Sequence, residues 1–252
     1  MSMLSQIENS LIFPAPRYPV GDWHPTGLDQ EEVHFQSADG TKLHGWYVTP
    51  PQPIAQVLHC HGNGEHVAYL ADLLRFFRDE WHLAIFAWDY RGYGRSEGTP
   101  DELGVLADAA AAQRWLAQRA GISEDQVVLL GRSLGGATAI DLAVARGTRG
   151  LVLESTFTSM REMAAYHFPW LPVRQLMRSQ FLSLEKIRRY EGPLLISHAV
   201  HDEIVPYEMG QRLFAAAGGH DKTFFSIPTG GHNDLPPIEY YAALREFLSR
   251  LS

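Results

Sequence analysis

Apolar residues in this chain occur as short, nearly continuous runs, separated by longer segments in which they recur at helical spacing. Continuous runs of about four to eight apolar residues are typical of strands that are buried on both faces. Recurrence every three or four positions is typical of helices that bury one face. The runs predict strands at Gln56–His59, Leu83–Trp88, Val127–Leu130, Gly150–Leu153, Leu194–Ser197 and Phe224–Ile227.

Two further strands, Glu32–Ser37 and Leu43–Val48, are joined across Asp39-Gly40, which is a hairpin signature. Thr99 is predicted to cap a helix, with Pro100 at its first position and Glu102 at its third. Helices are predicted near Tyr69–Phe77, Pro100–Ala120, Ala137–Ala145, Glu208–Ala216 and Ile238–Leu251. Because strands and helices alternate, the pattern predicts a mostly parallel eight-stranded sheet with helices on both faces.

The alternation is interrupted between residues 156 and 190, a long interval that is rich in aromatic residues and methionine. An insertion after the sixth strand begins at the carboxyl ends of the strands, where α/β proteins bind their ligands. The interval therefore predicts a small cap, 156–190, within a single domain that spans 1–252. Its large side chains either line an acyl pocket or pack the cap onto the core: Phe157, Met160, Met163, Tyr166, Phe168, Trp170, Leu171, Met177, Phe181 and Leu182.

Composition is consistent with one globular domain, since the 252 residues are 45% hydrophobic and 20% charged. The formal net charge of -8 disfavours a nucleic-acid partner, because phosphate binding needs clustered lysine and arginine. The single cysteine, Cys60, cannot form an internal disulfide, which favours cytoplasmic residence. Met1–Phe13 lacks the features of a signal peptide, and no apolar run approaches the ~20 residues of a membrane helix. We therefore expect neither export nor a membrane span.

The strongest chemical signal is Gly131-Arg132-Ser133-Leu134-Gly135, which lies between a predicted strand and a predicted helix. This G-x-S-x-G pattern is typical of a nucleophile elbow, in which the serine occupies a strained turn and glycines prevent collisions with the adjacent strand and helix. Glycine-flanked serines also occur in ordinary tight turns, so the context has to support the assignment. Ser133 is the predicted nucleophile.

An acid and a histidine follow in the order that such an elbow requires, each after a later strand. Asp202 follows the strand Leu194–Ser197, and His232 lies in the glycine-rich turn after the last strand. A serine hydroxyl becomes an effective nucleophile when an imidazole accepts its proton, and a carboxylate orients that imidazole. We expect His232 to be the general base and Asp202 to be the orienting acid. Glu154, at the end of the sixth strand, is the alternative acid.

An oxyanion hole is predicted from backbone amides. The segment His61-Gly62-Asn63-Gly64 follows the third strand, and Leu134 follows the nucleophile. Acyl transfer needs N–H donors aimed at the developing negative oxygen, and the loss of one donor typically costs about 3 kcal/mol. The N–H groups of Asn63 and Leu134 are the predicted donors. This chemistry requires neither a metal nor a cofactor.

Other polar residues have less specific interpretations. His59, Cys60 and His61 could form part of a metal site, but zinc needs three or four ligands in matching geometry, so we expect no metal. Asp89, Arg91 and Ser96 could contact substrate, but a carboxylate beside an arginine at a strand end more often braces a loop. We interpret all three as structural.

These residues together resemble the α/β-hydrolase superfamily, and the resemblance covers most of the chain. The segments His61–Gly64, Asp89–Gly98, Gly131–Gly136 and Phe168–Val173 are similar to those of serine hydrolases grouped with depalmitoylases and lysophospholipid hydrolases. The resemblance implies the α/β-hydrolase fold, with an eight-stranded sheet and a small cap after the sixth strand. The chain departs from these relatives at Ala199, where they usually have glycine, and in lacking the cysteine-rich N-terminus of membrane-anchored depalmitoylases.

The sequence favours a serine hydrolase that cleaves a carboxylic ester or thioester of an apolar acyl group through an acyl-enzyme. Amidase, aminopeptidase and acyltransferase activities could use the same residues and remain open. A non-catalytic module that binds a ligand also remains open, because a fold alone does not determine a function. The natural substrate, the acyl-chain length and the oligomeric state are not determined by these motifs.

Overall fold

The computed structural model describes residues 8–9, 12–170 and 177–251. The chain divides into two compact units, Met1–Val128 and Leu129–Ser252. Two sets of sequence predictions lie partly outside the described residues: Leu171, Pro172 and Val173 of the cap segment, and residues 1–7, 10 and 11 of Met1–Phe13.

The first unit is built on four strands, β1 (Glu31–Gln36), β2 (Lys42–Val48), β3 (Ala55–Cys60) and β4 (Leu83–Asp89). In the eight-stranded sheet these strands have the order β1-β2-β4-β3. The β1–β2 and β2–β4 pairs are antiparallel, whereas β3 and β4 are parallel. The predicted hairpin across Asp39-Gly40 is confirmed, and Gly40 has the positive φ of +84° that such a turn requires.

This unit contains the helices α1 (Ala71–Trp81) and α2 (Glu102–Ala120). The predicted cap of α2 is wrong. Asp101, not Thr99, is the N-cap residue, because its extended backbone lets the carboxylate accept a 2.7 Å hydrogen bond from the Gly104 N–H. Aspartate and threonine are both good caps, so the sequence pattern alone placed the start of the helix too early.

The second unit contains β5 (Val128–Arg132), which begins at the unit boundary, followed by β6 (Gly150–Glu154), β7 (Leu194–Ala199) and β8 (Lys222–Ile227). These strands have the order β5-β6-β7-β8, and the β6–β7 and β7–β8 pairs are parallel. The described residues of this unit form the helices α3 (Leu134–Arg146), α4 (Met160–His167), α5 (Ser183–Ile187), α6 (Tyr207–Ala216) and α7 (Ile238–Arg250). The prediction of a mostly parallel eight-stranded sheet flanked by helices is therefore confirmed.

The interval between β6 and β7 contains α4 and α5. Of the large residues predicted to form the cap, Phe157, Met163 and Phe181 are buried, whereas Tyr166 and Trp170 are 56% and 73% exposed. The bidentate ion pair between Glu162 of α4 and Arg212 of α6 holds the insertion in place, with N–O distances of 2.6 and 3.1 Å. Burial of the first three assigns them to packing, and a pocket role for the exposed residues stays a prediction.

Over the part of the chain that the structure describes, no helix combines the length and the apolar character needed to cross a membrane.

Candidate active site

Ser133 occupies the turn between β5 and α3 with φ +52° and ψ −115°. Non-glycine residues rarely adopt this conformation, and it occurs most often at functional sites that the surrounding structure stabilises. Two contacts hold the turn: the Ser133 N–H donates to the carbonyl of Glu154 at 2.9 Å, and the Thr156 hydroxyl donates to the Ser133 carbonyl at 2.7 Å. The local geometry is that of the predicted elbow.

Gly131 and Gly136, on either side of Ser133, have other atoms too close to their α-carbons to admit a side chain. A β-carbon at Gly131 would lie 2.3 Å from the carbonyl oxygen of Gly135, and one at Gly136 would lie 2.5 Å from the β-carbon of Thr156. Real β-carbons essentially never lie this close to other heavy atoms. Glycine at positions 131 and 136 thus has a steric cause in this strand-to-helix turn.

Asp202 and His232 are in contact, as the order of the motifs predicts. The Nδ1 atom of His232 lies 2.8 Å from Oδ2 of Asp202, and both side chains are buried. A hydrogen bond at this distance to a carboxylate requires a proton on Nδ1, which leaves Nε2 of a neutral imidazole free to accept one. This arrangement gives His232 the tautomer that a general base needs.

The carboxylate of Asp202 receives several further hydrogen bonds. Its Oδ1 atom accepts the N–H groups of Ile204 at 2.9 Å and Val205 at 2.7 Å, and Nε2 of His198 lies 3.3 Å from Oδ2. Burial by itself would raise the pKa of Asp202, but the hydrogen bonds from His198, His232 and Val205 outweigh it and lower the pKa below its usual range. Asp202 is therefore ionised at neutral pH.

The backbone carbonyl and the backbone N–H of His232 are both hydrogen-bonded to charged side chains. Sequence reasoning did not identify these two partners. The carbonyl of His232 accepts a hydrogen bond from Nη2 of Arg132 at 2.7 Å. Its N–H donates to Oε2 of Glu203 at 3.1 Å. Arg132 precedes Ser133 and Glu203 follows Asp202, but no sequence pattern links them to a loop so far away along the chain.

Glu154, the alternative acid, has a different environment. Its carboxylate accepts a hydrogen bond from the hydroxyl of Tyr240, a residue of α7 that is fully buried. The acid that contacts His232 through a 2.8 Å hydrogen bond is Asp202. This geometry favours Asp202 for the orienting role.

The two predicted oxyanion donors lie in different units. Leu134 is the first residue of α3, and the N–H groups of a helix's first turn have no acceptor within the helix. In the other unit, the Asn63 side chain is fixed by a hydrogen bond from the Tyr93 hydroxyl at 2.6 Å and by its own donation to the Ile12 carbonyl at 2.5 Å. These contacts use the side chain of Asn63. Its backbone N–H as an oxyanion donor stays a prediction.

Asp89 and Ser96 brace the loop after β4, as the structural interpretation expects. Oδ1 of Asp89 accepts the N–H of Val67 at 2.9 Å, and Oδ2 lies 2.9 Å from Nδ1 of His44. The Ser96 hydroxyl donates to the Asp89 carbonyl at 2.6 Å and accepts the N–H of His44 at 2.9 Å. Both side chains are buried, so their polar atoms serve these contacts.

Cys60 is buried at the end of β3. Burial raises the pKa of its thiol to about 12, against the opposing effect of a hydrogen bond with Trp88. In the described ranges, no three histidine, cysteine, aspartate or glutamate side chains are grouped closely enough to hold a metal ion.

Comparisons with known proteins identify the family and the fold of this chain. Residues 51–186 match the family model described as "Serine aminopeptidase, S33". An uncharacterized protein of Mycobacterium tuberculosis, Rv2307c, is 36% identical to this chain over 256 residues, covering 99% of this chain and 89% of that protein.

Two solved structures share the fold. An esterase of Pyrococcus furiosus has a TM-score of 0.78 at 21% identity, covering 94% of this chain and 100% of that one. An alpha-beta hydrolase of Vibrio vulnificus has a TM-score of 0.80 at 22% identity, covering 100% and 95% of the two chains. The match to more than half of the chain and the likeness of the folds lead to one conclusion: this chain belongs to the α/β-hydrolase superfamily, in the family described as "Serine aminopeptidase, S33".

Proposed function

We propose that this protein is a serine hydrolase that cleaves carboxylic esters or thioesters of an apolar acyl group. His232 accepts the proton of the Ser133 hydroxyl as the serine oxygen attacks the acyl carbonyl. The N–H group of Leu134 stabilises the resulting oxyanion, and the N–H group of Asn63 stays a predicted second donor. As the oxyanion re-forms the carbonyl, the bond to the leaving group breaks and the imidazolium protonates its oxygen or sulfur, so that an alcohol or thiol departs and Ser133 is left acylated. Water attacks this ester with His232 again as the base, and the acid and free Ser133 are released.

The observation that carries this proposal is the hydrogen bond between His232 and Asp202, 2.8 Å long, in the unit that also holds Ser133 in its strained turn. The lowered pKa of Asp202 supports it, because an ionised carboxylate both fixes the Nδ1–H tautomer and stabilises the imidazolium that forms during attack. One solved structure with the same fold is named an esterase, which agrees with this reaction class.

Amide hydrolysis is the second candidate, and the family description "Serine aminopeptidase, S33" favours it. The same nucleophile and base would serve. The difference lies in the leaving group, since an amine must be protonated as it departs whereas a p-nitrophenolate need not be. An aminopeptidase must also bind the α-ammonium group of its substrate.

The test uses the purified full chain with p-nitrophenyl esters from acetate to palmitate and with aminoacyl p-nitroanilides. We expect ester hydrolysis whose kcat/KM depends on acyl length, and slower anilide hydrolysis. Faster hydrolysis of the anilides would favour the aminopeptidase. A flat ester profile would contradict an apolar acyl pocket.

The same assays are run on Ser133→Ala, His232→Ala and Asp202→Asn. We expect losses of at least about 10³-fold for the first two and a large loss for the third, as in other triads. His220→Ala is the matched control, because His220 is an exposed histidine in the same unit. Labelling of Ser133 by a fluorophosphonate must disappear in Ser133→Ala. A wild-type chain that neither hydrolyses the substrates nor is labelled would instead support the ligand-binding module.

A further inference from the structure

The two backbone polar groups of His232 are both held by charged side chains. The carbonyl accepts from the Arg132 guanidinium at 2.7 Å, and the N–H donates to the Glu203 carboxylate at 3.1 Å. Charge-assisted hydrogen bonds of this kind are stronger and better ordered than neutral ones. His232 needs such support because it lies in the turns and irregular backbone of residues 228–237, between β8 and α7.

We propose that Arg132 and Glu203 are positioning residues that set the place of the His232 imidazole relative to Ser133 and Asp202. The inference rests on the proposed function and adds to it two residues that do not themselves contact the reacting atoms. Together we call them the His232 clamp.

Arg132 links His232 to the nucleophile. It is the last residue of β5 and precedes Ser133, whose own backbone is fixed by Glu154 and Thr156. The same Nη2 atom that donates to the His232 carbonyl also lies 3.1 Å from Oδ1 of Asn233. A rigid strand end thus holds two successive residues of the His232 loop.

Glu203 links His232 to the acid. It follows Asp202, whose carboxylate is anchored by the N–H groups of Ile204 and Val205. A β-carbon at Gly231 would lie 2.2 Å from Oε2 of Glu203, so glycine at this position leaves open the space that the carboxylate occupies.

The two clamp contacts therefore connect His232 to the residue before Ser133 and to the residue after Asp202. Proton transfer requires the imidazole within hydrogen-bond reach of the serine oxygen, and a displacement of about 1 Å can cost 10²-fold in rate. The hydrogen bond to Asp202 fixes one ring nitrogen, but it leaves the ring able to swing with its loop. The clamp removes this freedom by fixing the backbone from which the ring projects.

The test compares Arg132→Met, Arg132→Lys, Glu203→Ala and Glu203→Gln in hydrolysis of p-nitrophenyl butyrate. We expect Arg132→Met and Glu203→Ala to lower kcat by about 10- to 100-fold while KM changes by less than about 3-fold. Glu203→Gln keeps an acceptor oxygen, and Arg132→Lys keeps a cationic donor, so both should recover part of the loss. The matched controls are Arg119→Met, which removes a surface ion pair with Glu31, and Glu208→Ala, an exposed glutamate; both should leave kcat unchanged.

A second readout does not depend on turnover. The Nδ1 proton of His232 should give a low-field proton NMR resonance that is absent in Asp202→Asn. In Arg132→Met and Glu203→Ala we expect this proton to exchange faster with water, at a melting temperature close to that of the controls.

The clamp is refuted if the clamp variants match the controls in kcat and in exchange of the His232 proton while the wild type is active. A loss of kcat without recovery in Glu203→Gln and Arg132→Lys would also count against it. If the wild type neither turns over esters nor is labelled by a fluorophosphonate, the proposed function fails instead, and the NMR readout still decides whether Arg132 and Glu203 order the loop. If Arg132→Met does not fold, the comparison of Glu203→Ala with Glu203→Gln tests the clamp.

Discussion

The guanidinium of Arg91 binds the carboxylate of Asp108 through two hydrogen bonds, Nε to Oδ2 at 2.9 Å and Nη2 to Oδ1 at 2.6 Å. The backbone N–H of Arg91 donates to the same carboxylate at 3.0 Å. Asp108 is fully buried within α2, and Arg91 is nearly so. The pair fastens the loop after β4 to α2, as the structural interpretation of Arg91 expects.

We expect Arg91→Met to lower the free energy of unfolding by about 3–5 kcal/mol, because it leaves the Asp108 charge buried without its partner. Urea unfolding measures this change, and the folded variant should keep the kcat of the wild type. Asp39→Asn is the control: Asp39 also binds Arg91, at 2.9 Å, but its side chain is 54% exposed, so the effect should be much smaller. An Arg91→Met variant with normal stability and a strongly raised KM would instead indicate a substrate contact.

The elbow glycine Gly131 should not tolerate even a methyl group. In Gly131→Ala the new β-carbon would overlap the Gly135 carbonyl, and neither strand nor helix can move without displacing Ser133. Overpacking of this kind typically costs about 1–3 kcal/mol, and activity should fall with it.

Gly40→Ala is the control, because it replaces a glycine at a position where the added methyl group meets no other atom. Gly40 also has positive φ, but a β-carbon added there would have no neighbouring atom within 4 Å. We expect it to cost only the strain of a left-handed conformation, about 1 kcal/mol, with full activity. Equal effects of the two substitutions on activity would contradict the steric explanation.

His44 should make stability depend on pH. Its ring lies between two carboxylates, with Nδ1 2.9 Å from Asp89 and Nε2 2.6 Å from Glu32. Burial alone would lower its pKa, but the hydrogen bonds and charges of Asp89 and Glu32 raise it above 6.5. Because the folded pKa is the higher one, the stabilisation is complete below pH 6.5 and is lost as pH rises through the folded value.

The measurement is urea unfolding of the wild type and of His44→Gln at pH values from below 6.5 to above the folded pKa of His44. The difference in unfolding free energy between them should be largest at the acidic end and should shrink as pH rises. Comparison with the variant is necessary because burial lowers the pKa of His61 and His66, which gives a slope of the opposite sign. A difference that is constant with pH would show that protonation of His44 does not contribute to stability.

His198 should help to keep Asp202 ionised. Its Nε2 atom lies 2.9 Å from the Val205 carbonyl and 3.3 Å from Oδ2 of Asp202. Its Nδ1 atom lies close to Gly210, where an added β-carbon would be only 2.4 Å away. We expect His198→Leu to raise the pKa of Asp202 and to destabilise the protein by about 1–3 kcal/mol through the lost buried hydrogen bonds. Carbon-13 NMR of the Asp202 carboxyl measures the first effect. His198→Gln keeps an N–H donor and should show less of both.

Much of the fold and the Asp202–His232 pair could be predicted because their signals are local. Buried strands appear as apolar runs, and Gly131, Ser133 and Gly135 carry the geometry of one turn in five residues. The acid and the base follow in chain order after their strands, so the parallel sheet itself predicts that they meet at one edge.

The clamp residues could not be predicted because their partners are far away in sequence. Arg132 binds the carbonyl of a residue 100 positions further on, and Glu203 binds one 29 positions away. Both act on backbone groups, which have no residue identity for a pattern to record. The predicted N-cap residue of α2 was wrong because the local signal was ambiguous. Thr99 and Asp101 are both good candidates, and only the hydrogen bond seen in the structure distinguishes them.

The burial of Cys60 has a practical consequence for labelling. It is the only cysteine in the chain, and its thiol is enclosed, with a pKa raised to about 12, so almost none of it is thiolate at neutral pH. Maleimides, spin labels and fluorophores should therefore leave the native protein untouched. A cysteine introduced at any exposed position becomes the sole reactive thiol, which allows probes to be attached to the insertion or to the His232 loop without first removing a native residue.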